Sequence, residues 1–205
     1  VSGLAVSRVD TGVALSGGKA IALVGLNISD VTDRGIDAEN CITCAVRDSV
    51  VARTGLDAIS VRGPLTTGFQ LSDSAVIDSG TSARSDGWRW LPRPAVAAVH
   101  SVGAASSITG NTIAGSSNLG IYLGPQSTAS ANFVTRTCLT LNDCGGIYAN
   151  ATGDNATIVG NLIESLQGNI AGVPATQLPL TIGIYLDDHN DGSVVAGNTV
   201  TGAGY

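Results

Sequence analysis

The sequence predicts an all-β chain wound as a right-handed parallel β-helix of about seven rungs, and three observations predict it. A Gly-Ile-type tetrapeptide recurs along the chain. A small polar residue followed two positions later by an aliphatic one recurs behind it. The spacing from the first signal to the second is nearly fixed, while the spacing back to the next tetrapeptide is not.

The tetrapeptides are Gly12-Val-Ala-Leu, Gly35-Ile-Asp-Ala, Gly120-Ile-Tyr-Leu, Gly146-Ile-Tyr-Ala and Gly183-Ile-Tyr-Leu, with weaker members at Ala58-Ile-Ser-Val and Ala98-Val-His-Ser. The polar–aliphatic pairs are Ser49/Val51, Ser74/Val76, Asn111/Ile113, Asn132/Val134, Asn161/Ile163 and Asn198/Val200, with Asn27-Ile28 offset by one. Steps from tetrapeptide to pair are 15, 14, 16, 13, 12, 15 and 15 residues, whereas the return steps are 8, 9, 24, 9, 14 and 22. The uninterrupted period is therefore 22–23 residues. Three short strands per coil fit that length, each stacking on the coil below at about 4.8 Å. Inward positions must be small or aliphatic, and asparagines repeated at one corner can stack their amides in a ladder. A leucine-rich repeat needs L-x-x-L-x-L spacing, which is absent, and an antiparallel sandwich would not keep so regular a period.

The long return steps are insertions at 78–95, 135–144 and 164–182, and all three precede the Gly-Ile-type strand. Loops gathered on one side of a solenoid wall off one face, and function concentrates on such loops. With Ile and Leu inward, strand alternation points a column Ala14, Asp37, Ser60, His100, Tyr122, Tyr148, Tyr185 out of that face. The next outward column is Ser16, Glu39, Arg62, Val102, Gly124, Asn150, Asp187. Aromatic rings repeated at sheet spacing suit stacking on sugar rings, with phenol hydroxyls for sugar oxygens. The first insertion, SARSDGWRWLPRP, adds Trp88 and Trp90 beside Arg84, Arg89 and Arg93, a set suited to a carboxylated sugar.

Composition narrows the partners. No apolar stretch approaches the ~18 residues of a membrane helix, although mean hydropathy is +0.28, so membrane insertion is not expected. Net charge is −6, with nine arginines and one lysine, Lys19, so no basic patch suits nucleic acid. An anionic polysaccharide fits if arginines gather in one groove. The chain begins at Val1 and contains no Met. That reads as a mature, processed or excised segment, 1–205 forming one β-helix domain. With no recognisable cap at either end, end-to-end association or further domains of the same chain are expected. Cys41 and Cys44 lack the partners of a zinc site. Cys138 and Cys144 bracket residues 139–143, where either a disulfide or two free thiols fit, and the former would favour an oxidising compartment.

The pattern G-I-Y-L, a turn, then S-V-V-x-G-N-T-[IV] resembles the pectin-lyase-like superfamily of right-handed β-helix proteins over essentially the whole chain. The resemblance implies that the G-I-x-L strand lines a carbohydrate-binding face with the preceding loop as one wall, and that the protein is extracellular or periplasmic. It does not choose a reaction, because one fold carries many. Proton abstraction from a uronate needs a cation at the carboxylate, a base at C5 and an acid at the leaving oxygen. His100 with Tyr122 or Tyr148 supplies the proton-transfer groups. Arg62, Arg84, Arg89 and Arg93 would hold carboxylates, while Trp88, Trp90, Tyr185 and Asp187 would contact sugar. Elimination or C5-epimerisation of an acidic polysaccharide is thus the first expectation. A glycoside hydrolase would draw on Asp37, Glu39, Asp57 and Asp187 or Asp188, and a non-catalytic glycan-binding, adhesin or structural module is the alternative outside enzymes. No cofactor is required; Asp187, Asp188 and Asp191 offer the hard oxygen ligands that calcium takes.

Overall fold

In the computed structural model, residues 1–82, 96–140, 143–150, 153–168, 180–188 and 190–204 are described. Three parallel sheets run the length of the solenoid, and the chain visits them in fixed rotation. The Gly-Ile-type strands form the first: β2 (Val13–Ser16), β5 (Ile36–Glu39), β8 (Ile59–Arg62), β11 (Ala97–Ser101), β14 (Leu119–Leu123), β17 (Cys144–Ala149) and β20 (Thr181–Leu186). The second holds β3 (Ala22–Val24), β6 (Ala45–Arg47), β9 (Gln70–Ser72), β12 (Ser107–Thr109), β15 (Thr128–Ser130), β18 (Thr157–Val159) and β21 (Val194–Ala196). The third holds β1 (Ala5–Ser7), β4 (Asn27–Val31), β7 (Val50–Thr54), β10 (Ala75–Ser79), β13 (Thr112–Ser116), β16 (Phe133–Thr135), β19 (Leu162–Glu164) and β22 (Thr199–Thr201). The seven strands of the first sheet match the rung count read from the period. β1, which carries neither repeat signal, adds a strand ahead of the first tetrapeptide.

The interior is built from columns of one position copied coil to coil. Ile28, Val51, Val76, Ile113, Val134, Ile163 and Val200 face each other in register through the third sheet. Ile36, Ile59, Val99, Ile121, Ile147 and Ile184 do so through the first. β-Branched side chains have few rotamers to lose and fill a pleated column well.

Corners between the second and third sheets turn sharply, because the residue before each third-sheet entry is left-handed. Asp48, Asp73, Gly110, Ala131, Gly160 and Gly197 all have φ between 51° and 70°. The next residue then forms a ladder. Leu26 N–H donates to Ser49 Oγ, Ser49 N–H to Ser74 Oγ, and Ser74 N–H to Asn111 Oδ1. The same step repeats through Asn132, Asn161 and Asn198 at 2.9–3.0 Å. The offset noticed at Asn27 has its reason here: Asn27 pairs with Val50, so Leu26, not Asn27, occupies the ladder position in that coil.

Glycine is required where the chain enters β14, although Ala58 and Ala98 hold the same position in other coils. A Cβ on Gly120 would collide with the Gly146 carbonyl oxygen of the next coil and lie 2.8 Å from Val134 Cγ1. Neither atom is the tip of a flexible side chain. Gly120→Ala is therefore expected to cost about 1–3 kcal/mol, read as a lower urea midpoint at unchanged m-value; an unchanged midpoint would show that the coils can separate freely at this step.

Candidate functional site

The outward column of the first sheet sits where strand alternation places it. Ala14 pairs with Asp37, Asp37 with Ser60, Ser60 with His100, His100 with Tyr122, Tyr122 with Tyr148 and Tyr148 with Tyr185. Sheet spacing makes the last four into a continuous aromatic strip, with successive ring centroids 4.8, 5.1 and 5.2 Å apart. Tyr122, in the middle, is only 9% exposed.

At the early end of the strip, His100 Nδ1 lies 3.4 Å from Asp57 Oδ2. Asp57 is buried, its other oxygen accepts the Ala97 N–H at 2.9 Å, and Arg34 Nε approaches Oδ2 to 3.6 Å. Asp57 therefore both anchors the start of β11 and faces the histidine ring, leaving Nε2 on the other side of the imidazole. Arg62 is already engaged. Its guanidinium makes a two-pronged bond to Asp37 at 3.0 Å and reaches Glu39 at 3.2 Å. The hydrogen bond to Asp37 raises its pKa above the usual arginine range. A substrate carboxylate at Arg62 would have to displace two carboxylates of the protein.

The late end carries carboxylates. Tyr148 donates its hydroxyl hydrogen to Asp187 Oδ2 at 3.0 Å, and the Asp188 N–H donates to Asp187 Oδ1 at 2.9 Å. Tyr185 Oη is 3.4 Å from Asp143 Oδ1. Burial, then the hydrogen bond to Asp187, pushes the Tyr148 phenol well above its usual range. Burial, then the charge of Asp143, does the same to Tyr185. Asp143 itself is raised, first by loss of water around its carboxyl and then by the charge of Asp187, although the residue as a whole is exposed. Both phenols are thus held protonated, as donors. Asp143 is shifted toward its neutral form.

The cation site expected at Asp187, Asp188 and Asp191 does not form. Among the described residues no three His, Cys, Asp or Glu side chains are grouped to hold a metal. Asp187 turns toward the tyrosines instead, while Asp191 docks its N–H on Asp154 Oδ1 at 2.9 Å. Arg84, Trp88, Arg89, Trp90 and Arg93 lie outside the described residues, as does His189. Asp143 was missed at the sequence level. Its signal was its place, next to Cys144 at the end of an insertion that directly precedes a Gly-Ile-type strand. Both cysteine pairs, Cys41–Cys44 and Cys138–Cys144, are disulfide-bonded.

No family model and no curated protein matches the sequence. Among solved structures, the chain is similar to one described as a glycoside hydrolase, at a TM-score of 0.63 and 13% identity, over 93% of this chain and 37% of that one. Another is the catalytic unit of a thermostable GH87 alpha-1,3-glucanase from Streptomyces thermodiastaticus strain HF3-3, at 0.36 and 16%, over 97% of this chain and 49% of that one. The chain spans less than half the length of either. At 13% identity the first likeness is one of fold, and with three parallel sheets visited in rotation it makes this chain a right-handed parallel β-helix.

Proposed function

We propose that the chain acts on a polysaccharide laid along the tyrosine strip, and that it hydrolyses a glycosidic bond at the late end. The observation that carries this reading is that two carboxyls meet neighbouring hydroxyls of the strip, Asp143 at Tyr185 and Asp187 at Tyr148. Glycoside hydrolysis needs one carboxyl that stays protonated to release the leaving oxygen and one ionised carboxylate, spaced about 5–9.5 Å apart. Asp143, raised by burial and by its neighbour, suits the acid. Asp187, accepting from Tyr148 and from the Asp188 N–H, is the carboxyl offered as the second partner. The similarity to a glycoside hydrolase supports the substrate class only as far as the fold does.

Elimination or epimerisation of a uronate fits less well. A tyrosine base must lose its proton, and Tyr148 is pushed the other way by burial and Asp187. Among the described residues the cation such chemistry needs is also hard to find at the strip: Arg62 is bound to Asp37 and Glu39, and Arg34 lies against Asp33 and Asp57. These commitments favour a neutral glycan over an acidic one. The elimination reading keeps one observation of its own, the His100–Asp57 pair. Two buried disulfides support an oxidising, extracytoplasmic location as part of the same proposal.

The test is an assay on neutral and uronate-containing polysaccharides, following reducing ends and unsaturated-product absorbance together. New reducing ends without absorbance are expected, on a neutral glycan. A rise in absorbance would move the protein to the lyases, C5 inversion without cleavage to the epimerases, and retained binding without products to the binding modules.

A further inference from the structure

The Cys138–Cys144 disulfide sits against the residue that the hydrolytic reading uses as its acid, since Asp143 directly precedes Cys144. Its two ends are anchored in different coils. The Cys138 N–H donates to Asn118 O at 2.9 Å, beside the start of β14. The Cys144 N–H donates to Leu180 O at 3.0 Å, beside the start of β20, and Cys144 pairs with Thr181. The first half of the enclosed loop is tied down too, Leu139 N–H to Ser116 O at 3.1 Å and Thr140 N–H to Ser117 O at 2.9 Å. From this closed loop Asp143 reaches the Tyr185 hydroxyl on the next coil.

Cys138 and Asp143 adopt left-handed φ values of 63° and 56°, as corner residues such as Asp48, Asp73 and Ala131 also do. Both sulfurs are fully buried, so the bond acts as a fixed pin and not as a switch opened by a passing thiol.

We propose that the Cys138–Cys144 disulfide is a positioning element for the Asp143 carboxyl, holding it on the Tyr185 side of the groove; the inference rests on the reading of Asp143 as the acid. Cys41–Cys44 provides the internal control. It is a buried disulfide that closes a shorter loop, with a sequence separation of 3 against 6, on the corner after β5, and among the described residues nothing joins it to the tyrosine strip.

The experiment compares the whole chain with a Cys138→Val/Cys144→Ala variant, which refills the buried space without the bond, and with Cys41→Ala/Cys44→Ala. The first readout is the titration of the Asp143 carboxyl by carbon NMR, which needs no activity. In the wild type and in the Cys41/Cys44 variant it is expected above the ordinary aspartate range. In the Cys138/Cys144 variant it should return to that range. The second readout is turnover on the cleaved glycan. There kcat should fall about 10- to 100-fold with KM little changed, and the acid limb of the pH profile should shift in step with the titration. An Asp143 titration that stays raised after the bond is removed overturns the inference, as does an equal effect of both variants. Asp143→Asn separates the two ideas: if turnover survives it, the hydrolytic reading fails while the titration still decides whether the disulfide places the carboxyl.

Discussion

Asp187→Asn and Asp143→Asn should each lower kcat on the cleaved glycan by about 10²–10⁴-fold, the usual worth of a positioned acid or base. Their stabilities should move in opposite directions. Asp143 is a carboxyl whose folded pKa is raised, by burial and then by the Asp187 charge. Such a group contributes stability that is fully present below its unfolded value of 3.8 and is lost as pH rises through the folded value. At neutral pH the raised pKa therefore works against the fold, because the unfolded chain ionises this carboxyl more readily. Asp143→Asn is expected to raise Tm at neutral pH, with the gain disappearing in acid below that value. Asp187 accepts hydrogen bonds from Tyr148 and from the Asp188 N–H, so Asp187→Asn weakens both and should lower Tm. Thermal unfolding of the three proteins at neutral and acidic pH checks the pattern. A site selected for chemistry over stability predicts one more stable, inactive variant; equal losses in both would mean that the pair is structural.

The second large effect belongs to the asparagine ladder. Asn132 is 2% exposed and bonded on every side. Its Oδ1 accepts both the Asn111 N–H and an Asn111 amide hydrogen at 3.0 Å. Its Nδ2 donates to Ile108 O at 2.8 Å and to Asn161 Oδ1 at 2.9 Å. Asn132→Ala would take an acceptor from two donors of Asn111 and a donor from Ile108 O and Asn161 Oδ1 in the interior. Each orphaned buried group costs about 1–3 kcal/mol, so a loss of about 3–5 kcal/mol is expected, or roughly 10 °C or more in Tm. Asn132→Asp keeps the size but turns a donor into an acceptor facing Ile108 O and Asn161 Oδ1. It should lose at least as much at neutral pH and recover in part when acid protonates the new carboxyl. Urea melts at both pH values test this; a loss under about 1 kcal/mol for the alanine variant would mean that water replaces the rung.

One surface contact offers a contrast of scale. Arg53 clasps Asp30 through two bonds of 2.6 and 2.7 Å, and that hydrogen bonding lowers Asp30 to about 2. The pair is exposed, so its stabilisation is screened by solvent, is present above pH 3.8 and fades as pH falls toward 2.

The amino-acid sequence by itself determined the period, the three-strand coil and the register of the outward column from Ala14 to Tyr185. In a parallel stack each position lies on its own copy one coil away, so local alternation and a repeat distance suffice to place side chains across the molecule. The asparagine ladder was legible for the same reason. The tertiary structure decided whatever the period does not copy. Asp57 meets His100 because the chain re-enters the first sheet at Ala97 directly over Asp57, after an insertion that no repeat constrains. Arg62 is committed to Asp37 and Glu39 through rotamers chosen between neighbouring coils. Asp187 turns to Tyr148 and away from the turn residues beside it in sequence, so the expected cation site gives way to half of a carboxylate pair. Asp143 joins that pair from a loop closed by a disulfide, and loop closure depends on where two coils hold their ends, which spacing along the chain leaves open.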